Sequence, residues 1–319
     1  MTRNRTAAWF AIVSLLPLAS QAQQVSIPSR PSRKSSAKKQ AEPEPTSKLR
    51  VDTSLVQVPV TVTDKLGRPI VGLEKENFRV FDNRVEQTVV QFASDDETVA
   101  VGFVFDVSGS IGGRMRQYQL AAHEFFKIAE PEDEFCLVTF ESSPKLAVPL
   151  TRHAGEIEYQ IMMTRSRGMT ALFDAVYLAA NEIRKSKLKK KALILVSDGG
   201  ENHSRYTLAE LKNALRETDV LLYSIGPSPD FSQGDNNGRL LKNLSEMTGG
   251  RLIQIGGSDL ADLSRKIIVD LRNRYVLYYS PLDKTRDGRY HRIELQMVSP
   301  RGVGKLTAHW RTGYYASSE

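Results

Sequence analysis

The sequence has only one cysteine and no long apolar run beyond its first 24 residues. The cysteine, Cys136, lies in the apolar stretch Phe135-Cys136-Leu137-Val138. A single cysteine forms no internal disulfide, so we interpret this thiol as a small buried hydrophobe and expect core packing to supply the stability. A membrane-spanning helix needs roughly 20 consecutive apolar residues, and no later segment provides them.

Excess charge is absent from the part of the chain that is expected to fold. The formal net charge of the 319 residues is +7. Residues 1–50 hold nine of the 44 Lys and Arg but two of the 37 Asp and Glu, which leaves 35 residues of each sign in the remainder. A nucleic-acid-binding protein carries its basic excess on the folded domain. The neutral remainder therefore argues against nucleic acid as a partner.

The beginning of the chain predicts export. Residues 1–24 resemble a signal peptide, because two arginines precede an apolar run that ends in a small-x-small cleavage signal, Ser20-Gln21-Ala22. The run is too short for a spanning helix and contains Pro17, so we favour cleavage over an uncleaved anchor. We expect a secreted or periplasmic protein. Residues 25–50 are rich in Ser, Pro, Lys and Gln and predict a disordered basic linker.

Two regions of alternating apolar and polar residues flank the middle of the chain. One is residues 51–97, with alternation from Val56 to Val62, and the other is residues 273–316. A period of two predicts strands of a half-buried sheet. Neither region holds enough strands for a core of its own, and the two ends of a domain commonly lie close together. We therefore predict one β-sandwich-like domain built from both regions, with the middle of the chain inserted.

Residues 98–272 show short continuous apolar runs that alternate with segments of helical period. Runs such as residues 99–105 and 192–196 are typical of strands buried on both faces. Tyr118, Ala122 and Phe125 share one face of a predicted amphipathic helix. The alternation predicts an α/β fold, a Rossmann-like parallel sheet with helices on both faces.

Two further segments have surface interpretations. The basic run at residues 184–191 follows a predicted helix, where cations complement the helix dipole. We interpret it as a solvated helix end and not as a polyanion-binding patch. Residues 226–238, rich in Ser, Pro, Asp and Asn, predict a loop near the edge of the sheet that binds ligands.

Side chains that carry oxygen gather where strands of the predicted sheet end. Asp106, Ser108 and Ser110 follow the first strand, Thr170 opens a helix and Asp198 follows another strand. Ligands of open α/β sheets bind at this carboxyl edge. Each of these residues alone is better explained as a helix N-cap. The coincidence of all five predicts a metal site, because two uncompensated carboxylates at one edge would repel each other.

Together these segments resemble the von Willebrand factor type A family, whose metal-ion-dependent adhesion site reads Asp-x-Ser-x-Ser, then Thr, then Asp. The corresponding parts here are Asp106-Val107-Ser108-Gly109-Ser110, Thr170 and Asp198, in the same order. The flanking strands also resemble bacterial exported proteins related to this family, with a weaker likeness in Arg311-Thr312-Gly313-Tyr314-Tyr315.

The resemblance implies a non-enzymatic adhesion module. Ser108, Ser110 and Thr170 would bind a metal ion through their hydroxyls, and Asp106 and Asp198 would hold it largely through water. A small all-oxygen site that keeps waters suits Mg²⁺ or Mn²⁺, whereas Ca²⁺ prefers more ligands at longer distances. The ion would accept an Asp or Glu carboxylate from a partner protein. We expect the chain to be a monomer.

Two other interpretations stay open. A metal-stabilised structural or scaffold module, without capture of an acidic ligand, is consistent with the same five residues. A metal-dependent hydrolase fits less well, because an aspartyl-nucleophile phosphatase needs a second Asp where Ser108 stands. Neither Ser108 nor Ser110 lies in a Gly-x-Ser-x-Gly elbow. The five histidines show no metal-ligand or triad spacing, so we interpret them as surface or packing residues.

Overall fold

The structure is a computed structural model that describes residues 55–65, 67–94, 98–218, 220–226, 236–254, 260–300 and 304–318. The predicted signal peptide and the predicted basic linker lie outside these residues, as do residues 227–235 of the predicted loop. Residues 236–238 of that loop belong to a helix instead. Residues 52–319 group into one compact unit.

The described residues form strands and helices. The strands make up three sheets, one with six strands and two with four. The strands are β1 Val56–Thr63, β2 Phe78–Asp82, β3 Val85–Gln87, β4 Val89–Ala93, β5 Val99–Asp106, β6 Glu134–Phe140, β7 Pro144–Thr151, β8 Lys190–Val196, β9 Leu221–Gly226, β10 Leu252–Gln254, β11 Tyr275–Tyr279, β12 Tyr290–Met297, β13 Thr307–Trp310 and β14 Gly313–Tyr315. The helices are α1 Met115–Phe126, α2 Ala154–Met162, α3 Leu172–Ile183, α4 Leu208–Glu217, α5 Asn236–Thr248 and α6 Leu260–Arg272.

The six-stranded sheet has the order β10-β9-β8-β5-β6-β7, and its first five strands are parallel. Residues of α1, α2 and α6 form the core on one face, and residues of α3, α4 and α5 form the core on the other. Along β5, Val101 and Phe103 face the first core and Ala100 and Val104 face the second. Burial on both faces explains the continuous apolar runs. The predicted α/β fold is confirmed.

Strand β7 departs from the prediction of an all-parallel sheet. It pairs antiparallel with β6 and lies at the edge. Pro144 and Pro149 argue against a strand in the sequence, because proline has no N–H to donate to the hydrogen bonds between strands. An edge strand tolerates proline since only one of its sides is paired. The sheet is therefore mixed.

The two four-stranded sheets combine strands from both ends of the described chain. Their orders are β13-β1-β11-β4 and β14-β12-β2-β3, and every pairing within them is antiparallel. Val58, Val60, Leu277 and Ile293 are among the residues of the core between them. Residues 56–93 and 275–315 thus share both sheets and one apolar core.

Strand β1 is buried on both faces, whereas its period of two predicts a half-buried strand. Thr61 and Thr63, on its polar face, are as buried as its valines. The Thr61 side chain lies beside the hydroxyl of Tyr223 on β9. The sandwich also contacts the end of α5, where a Cβ on Gly249 would lie 2.8 Å from the backbone nitrogen of Arg311. The α/β part covers the face that the sequence pattern assigns to solvent.

The basic run at residues 184–191 is only partly a solvated surface. Helix α3 ends at Ile183, and Lys190 is the buried first residue of β8. Its ammonium donates to the carbonyl oxygen of Arg272 at 2.6 Å. Buried charges need such partners. The interpretation of the whole run as a solvated helix end is therefore wrong for Lys190.

Candidate metal centre

Asp106 lies at the point of the sheet where the chain stops adding strands on one side and starts adding them on the other. From β5 the chain proceeds to β6 on one side and later returns to β8 on the other. Open α/β sheets bind ligands in the crevice at such a switch point, beyond the carboxyl ends of the strands. Asp106 ends β5, and Ser197 and Asp198 follow the end of β8 directly. Residues from both strands therefore flank the crevice.

The Asp106 side chain is fully buried and fixed through both oxygens. Its Oδ1 accepts a hydrogen bond from the backbone nitrogen of Ser108 at 2.8 Å. Its Oδ2 accepts one from the hydroxyl of Ser197 at 2.6 Å. Burial raises the pKa of Asp106, and the nearby charge of Asp198 raises it further. A negative charge here is thus costly without a cation.

Ser108 and Ser110 present a pair of hydroxyls beside this carboxylate. Their Oγ atoms lie 3.1 Å apart; Ser108 is buried and Ser110 is exposed. Ser108 is the N-cap residue of a short 3-10 turn, Gly109–Arg114, yet its side chain makes no capping hydrogen bond. The capping role that would explain an isolated serine at a strand end is therefore not what the Ser108 hydroxyl does here.

Thr170 is held in place by a second loop. Its backbone nitrogen donates to Oδ1 of Asn202 at 3.0 Å, and its carbonyl oxygen accepts from the backbone nitrogens of Asn202 and His203. The cap of α3 is Ala171, so the buried Thr170 hydroxyl is not its N-cap side chain. A Cβ on Gly200 would lie 3.2 Å from Oδ1 of Asp198 and 3.7 Å from Oγ1 of Thr170, so these two oxygens border the same point.

Backbone hydrogen bonds join the first loop to the segment before Thr170. The nitrogen of Gly109 donates to the carbonyl oxygen of Gly168 at 3.1 Å, and the nitrogen of Arg167 donates to that of Val107 at 2.6 Å. Together with the Thr170 to Asn202 bonds, they tie the three loops that carry the predicted ligands. The structure therefore brings Asp106, Ser108, Ser110, Thr170 and Asp198 to one edge of the sheet.

The donor set at this edge fits a hard divalent cation. It consists of two carboxylates and three hydroxyls, which are the oxygen donors that Mg²⁺ and Mn²⁺ prefer. The described hydrogen-bond partners of Asp106 are neutral N–H and O–H groups, so its charge is not balanced by a cationic side chain hydrogen-bonded to it. In the described ranges, this edge included, no group of three or more His, Cys, Asp or Glu side chains is placed to hold a metal ion, so the candidate centre depends on its hydroxyls as well as its two carboxylates.

Sequence reasoning missed two residues that organise the centre. Ser197 is fully buried, donates to Asp106 and accepts from the backbone nitrogen of Gly199 at 3.0 Å. Glu201 accepts from the backbone nitrogen of Phe173 at 3.1 Å and fixes the first turn of α3. The available signal was a polar residue directly after a continuous apolar strand, next to Asp198.

No described hydrogen bond of the candidate metal centre uses a histidine ring. His203 uses its backbone N–H, as described above. His123 pairs with Glu158 on α2, and the buried His291 pairs through Nδ1 with Asp82 at 2.9 Å. His309 is half-buried and burial lowers its pKa. These contacts are those of packing and surface residues.

Comparison with known proteins finds one family model that matches the part of the chain carrying this site. Residues 101–201 match the sequence model of the von Willebrand factor type A domain, a range that contains all five candidate ligands. No curated protein matches the chain. In the part of the chain that the structure describes, no helix has the length and apolar character required to cross a membrane.

Solved structures with a similar arrangement share little sequence with this chain. An aerotolerance-related membrane protein from Bacteroides fragilis is 17% identical, covers 54% of this chain and 98% of its own, and gives a TM-score of 0.46. The conserved hypothetical protein BatB from Bacteroides thetaiotaomicron is 16% identical, with 54% and 98% covered and a TM-score of 0.45. A von Willebrand factor type A protein from Catenulispora acidiphila is 13% identical, with 75% and 72% covered and a TM-score of 0.46.

Fold and sequence match agree on the α/β part. Its sheet is covered by helices on both faces, and the matched residues 101–201 run from within β5 to the loop after β8. Residues 101–201 of the α/β part are therefore similar to the von Willebrand factor type A domain, and the fold around them agrees with that similarity.

Proposed function

We propose that this chain is an exported adhesion module that uses Mg²⁺ or Mn²⁺ to capture an acidic side chain of a partner protein. One observation carries the proposal. The buried Asp106 carboxylate, hydrogen-bonded only to neutral groups among the described residues, lies beside a pair of serine hydroxyls that cap no helix. A hard cation would balance the charge and use the hydroxyls.

The five residues would divide the work by charge. Ser108, Ser110 and Thr170 would provide neutral hydroxyl ligands, and Asp106 and Asp198 would hold the ion largely through water. When bound, the ion supplies a Lewis-acidic position for one more oxygen. Because the direct ligands would be neutral, a carboxylate from outside is the preferred occupant of that position.

This chain's own contribution is to hold the ligands in place before binding. Ser197 and the Ser108 backbone orient Asp106, while Asn202 and Glu201 fix the segment that carries Thr170. Side chains that are already oriented lose less conformational entropy on binding. The loops also leave Ser110 at the surface, within reach of a partner.

Export, the monomeric state and the absence of catalysis complete the proposal. Export rests on the signal-peptide pattern of residues 1–24. The hydroxyls of Ser108 and Ser110 hydrogen-bond each other, and no described hydrogen bond links either to a histidine that could act as a general base. A metal-stabilised scaffold is the competing hypothesis, and it predicts metal binding without partner capture.

Calorimetric titration of Mn²⁺ and Mg²⁺ into the metal-stripped full chain tests the metal site. Ser110→Ala removes an exposed hydroxyl whose described hydrogen bond is the one to Ser108, so the fold should survive. We expect saturable binding by the wild type, at least tenfold weaker binding by Ser110→Ala, and none by Asp106→Ala checked for folding by circular dichroism. Ser318→Ala, an exposed serine near the end of the chain, is the control. Wild-type protein that binds neither ion refutes the proposal.

A further inference from the structure

Four exposed cations lie in the segments next to the candidate metal centre: Arg114, Lys145, Arg165 and Arg167. Arg114 ends the 3-10 turn that begins at Gly109. Arg165 and Arg167 lie in the loop after α2, which bonds to the backbone of Val107. The two loops meet, since a Cβ on Gly112 would lie 2.8 Å from the Ser166 hydroxyl.

A groove of about 660 Å³ lies next to the end of β5, where Val107 forms part of its wall. It lies between the start of β7 and the loop after α2, and it adjoins the candidate metal centre through Val107, which stands between Asp106 and Ser108 in the chain. Its walls include Thr139, Lys145, Met163, Arg165 and Arg167. Met163 is 61% exposed and offers an apolar contact within this polar groove.

The charges in the groove are unbalanced. Among the described residues that line it, Glu141 is the only one with a carboxylate, and it pairs with Arg167 at 3.3 Å. Lys145 and Arg165 make no described ion pair. With a divalent cation bound, the charges of Asp106 and Asp198 cancel against the ion. The groove then carries net positive charge, which favours a partner with more than one acidic residue.

The strand register gives the separation of the Cα atoms of Asp106 and Lys145. Asp106 lies opposite Phe140 on β6, and the neighbouring residue Thr139 lies opposite Lys145 on β7. The Cα atom of Lys145 is therefore about two strand spacings from that of Asp106, or roughly 10 Å. An extended peptide advances about 3.3 Å per residue, so three residues span this distance.

We infer that the groove binds an extended acidic segment of the partner protein, in which a second acidic residue lies three positions from the one at the metal. Lys145 and Arg165 pair with this second residue, and Met163 contacts the residues between. The inference rests on the proposed function, because it needs one carboxylate at the metal. It adds a rule for which acidic proteins are captured.

Two synthetic ten-residue peptides of Gly and Ser test the rule. One carries glutamate at its fourth and seventh positions, and the other carries glutamine in place of the second glutamate. Binding to the full chain is followed by NMR titration in saturating Mg²⁺, which measures millimolar dissociation constants. We expect the wild type to bind the first peptide about fivefold more tightly, in the range of exposed ion pairs.

Matched variants assign that preference to the groove. Lys145→Gln combined with Arg165→Gln should bind both peptides equally while retaining the Mg²⁺-dependent affinity for the one with a single glutamate. Arg184→Gln combined with Lys187→Gln removes two exposed cations that precede β8, at the opposite end of the sheet, and should keep the preference. A preference that survives the first pair of substitutions or is lost with the second overturns the inference.

The two proposals fail in different ways. If the wild type binds both peptides equally, and Asp106→Ala abolishes that binding, the proposed function stands and the acidic-segment rule is wrong. If neither peptide binds in a Mg²⁺-dependent manner, capture of carboxylates by the metal centre is itself refuted, and the rule with it.

Discussion

Ser197 donates its hydroxyl to Oδ2 of Asp106 across neighbouring strands, at 2.6 Å. The other carboxylate oxygen accepts from the backbone nitrogen of Ser108 at 2.8 Å. Together these bonds fix the orientation of Asp106 without any contribution from an ion. Partners of this kind tune the affinity of metal sites, because they hold the ligands in the geometry that the metal needs.

Replacing Ser197 should weaken metal binding without unfolding the protein. Ser197→Ala removes the hydroxyl bonded to Asp106, and we expect Mn²⁺ affinity to fall about tenfold or more by calorimetry. Ser224→Ala is the matched control, because Ser224 is equally buried on the adjacent strand β9 but bonds Ser245 instead. Equal effects of the two substitutions would show that Ser197 acts only through general stability.

Removing the charge of Asp106 should separate metal binding from folding. Burial raises the pKa of Asp106, so the ionised carboxylate destabilises the metal-free protein. Asp106→Asn has almost the same shape, and we expect its metal-free Tm to equal or exceed that of the wild type. Excess Mg²⁺ should raise the Tm of the wild type only. A variant that Mg²⁺ still stabilises would place the ion elsewhere.

The stability should depend on pH through Asp270 in the direction opposite to ordinary acid denaturation. Asp270 is buried beside Arg251, and burial raises its pKa from 3.8 to about 6. A raised pKa in the folded state means that the folded protein binds the proton more tightly. The contribution of this group to stability is therefore lowest above pH 6 and grows as the pH falls from 6 towards 4.

Urea unfolding at pH 7 and pH 4.5 measures this contribution. The free energy of unfolding of the wild type, relative to that of Asp270→Asn, should increase by about 2 kcal/mol at the lower pH. The variant lacks only this titrating group. Subtracting its free energy of unfolding from that of the wild type therefore cancels the pH dependence of all other groups. A difference between the two proteins that does not change with pH contradicts the raised pKa.

The single cysteine should be inert in the folded protein. Cys136 is fully buried in β6, and burial raises the pKa of its thiol to about 12. The thiolate is the reactive form, so iodoacetamide should modify the native chain extremely slowly at pH 8. In 8 M urea the thiol should be modified completely. Mass spectrometry of the intact chain measures the modified fraction in both conditions. Rapid labelling of the native protein would show that this region of β6 opens.

The β-sandwich should depend on a buried carboxylate between its sheets. Asp82 on β2 accepts hydrogen bonds from the hydroxyls of Tyr279 and Tyr314 and pairs with His291. Tyr279 belongs to the opposite sheet, so the first bond crosses the sandwich. Asp82→Ala leaves these buried donors without their acceptor and should cost about 3 kcal/mol of unfolding free energy in urea.

The exposed turn residue Asp287 provides the control for that measurement. Its Oδ1 accepts from the backbone nitrogen of Arg289 at 2.9 Å, at the surface. Asp287→Ala should change the free energy of unfolding by less than about 1 kcal/mol. If Asp82→Ala is no worse than this control, the contacts of Asp82 do not stabilise the sandwich.

Most of the α/β part was predictable because its signals are local. The apolar run of β5 and the helical face of Tyr118, Ala122 and Phe125 follow from strand and helix geometry within a few residues. Strand β7 was not predictable in this way, because its prolines are tolerated only at an edge. Lys190 was misassigned because its burial depends on Arg272, which is 82 positions away.

The candidate site shows the same difference between local signals and contacts that are distant in the chain. Asp106, Ser108 and Ser110 form a short motif whose spacing is visible in the chain. The role of Ser197 is not visible, because it depends on a partner 91 residues away in the sequence.

The sequence by itself determined the alternation of buried strands and helices in the α/β part, the five oxygen-bearing residues and the neutral charge of the folded part. These features depend on side-chain type and on periodicity over a few residues. Only the tertiary structure decided which face of β1 is covered, which serine orients Asp106 and which cations line the groove beside it. Such contacts join residues far apart in the chain, and packing of the whole core selects them.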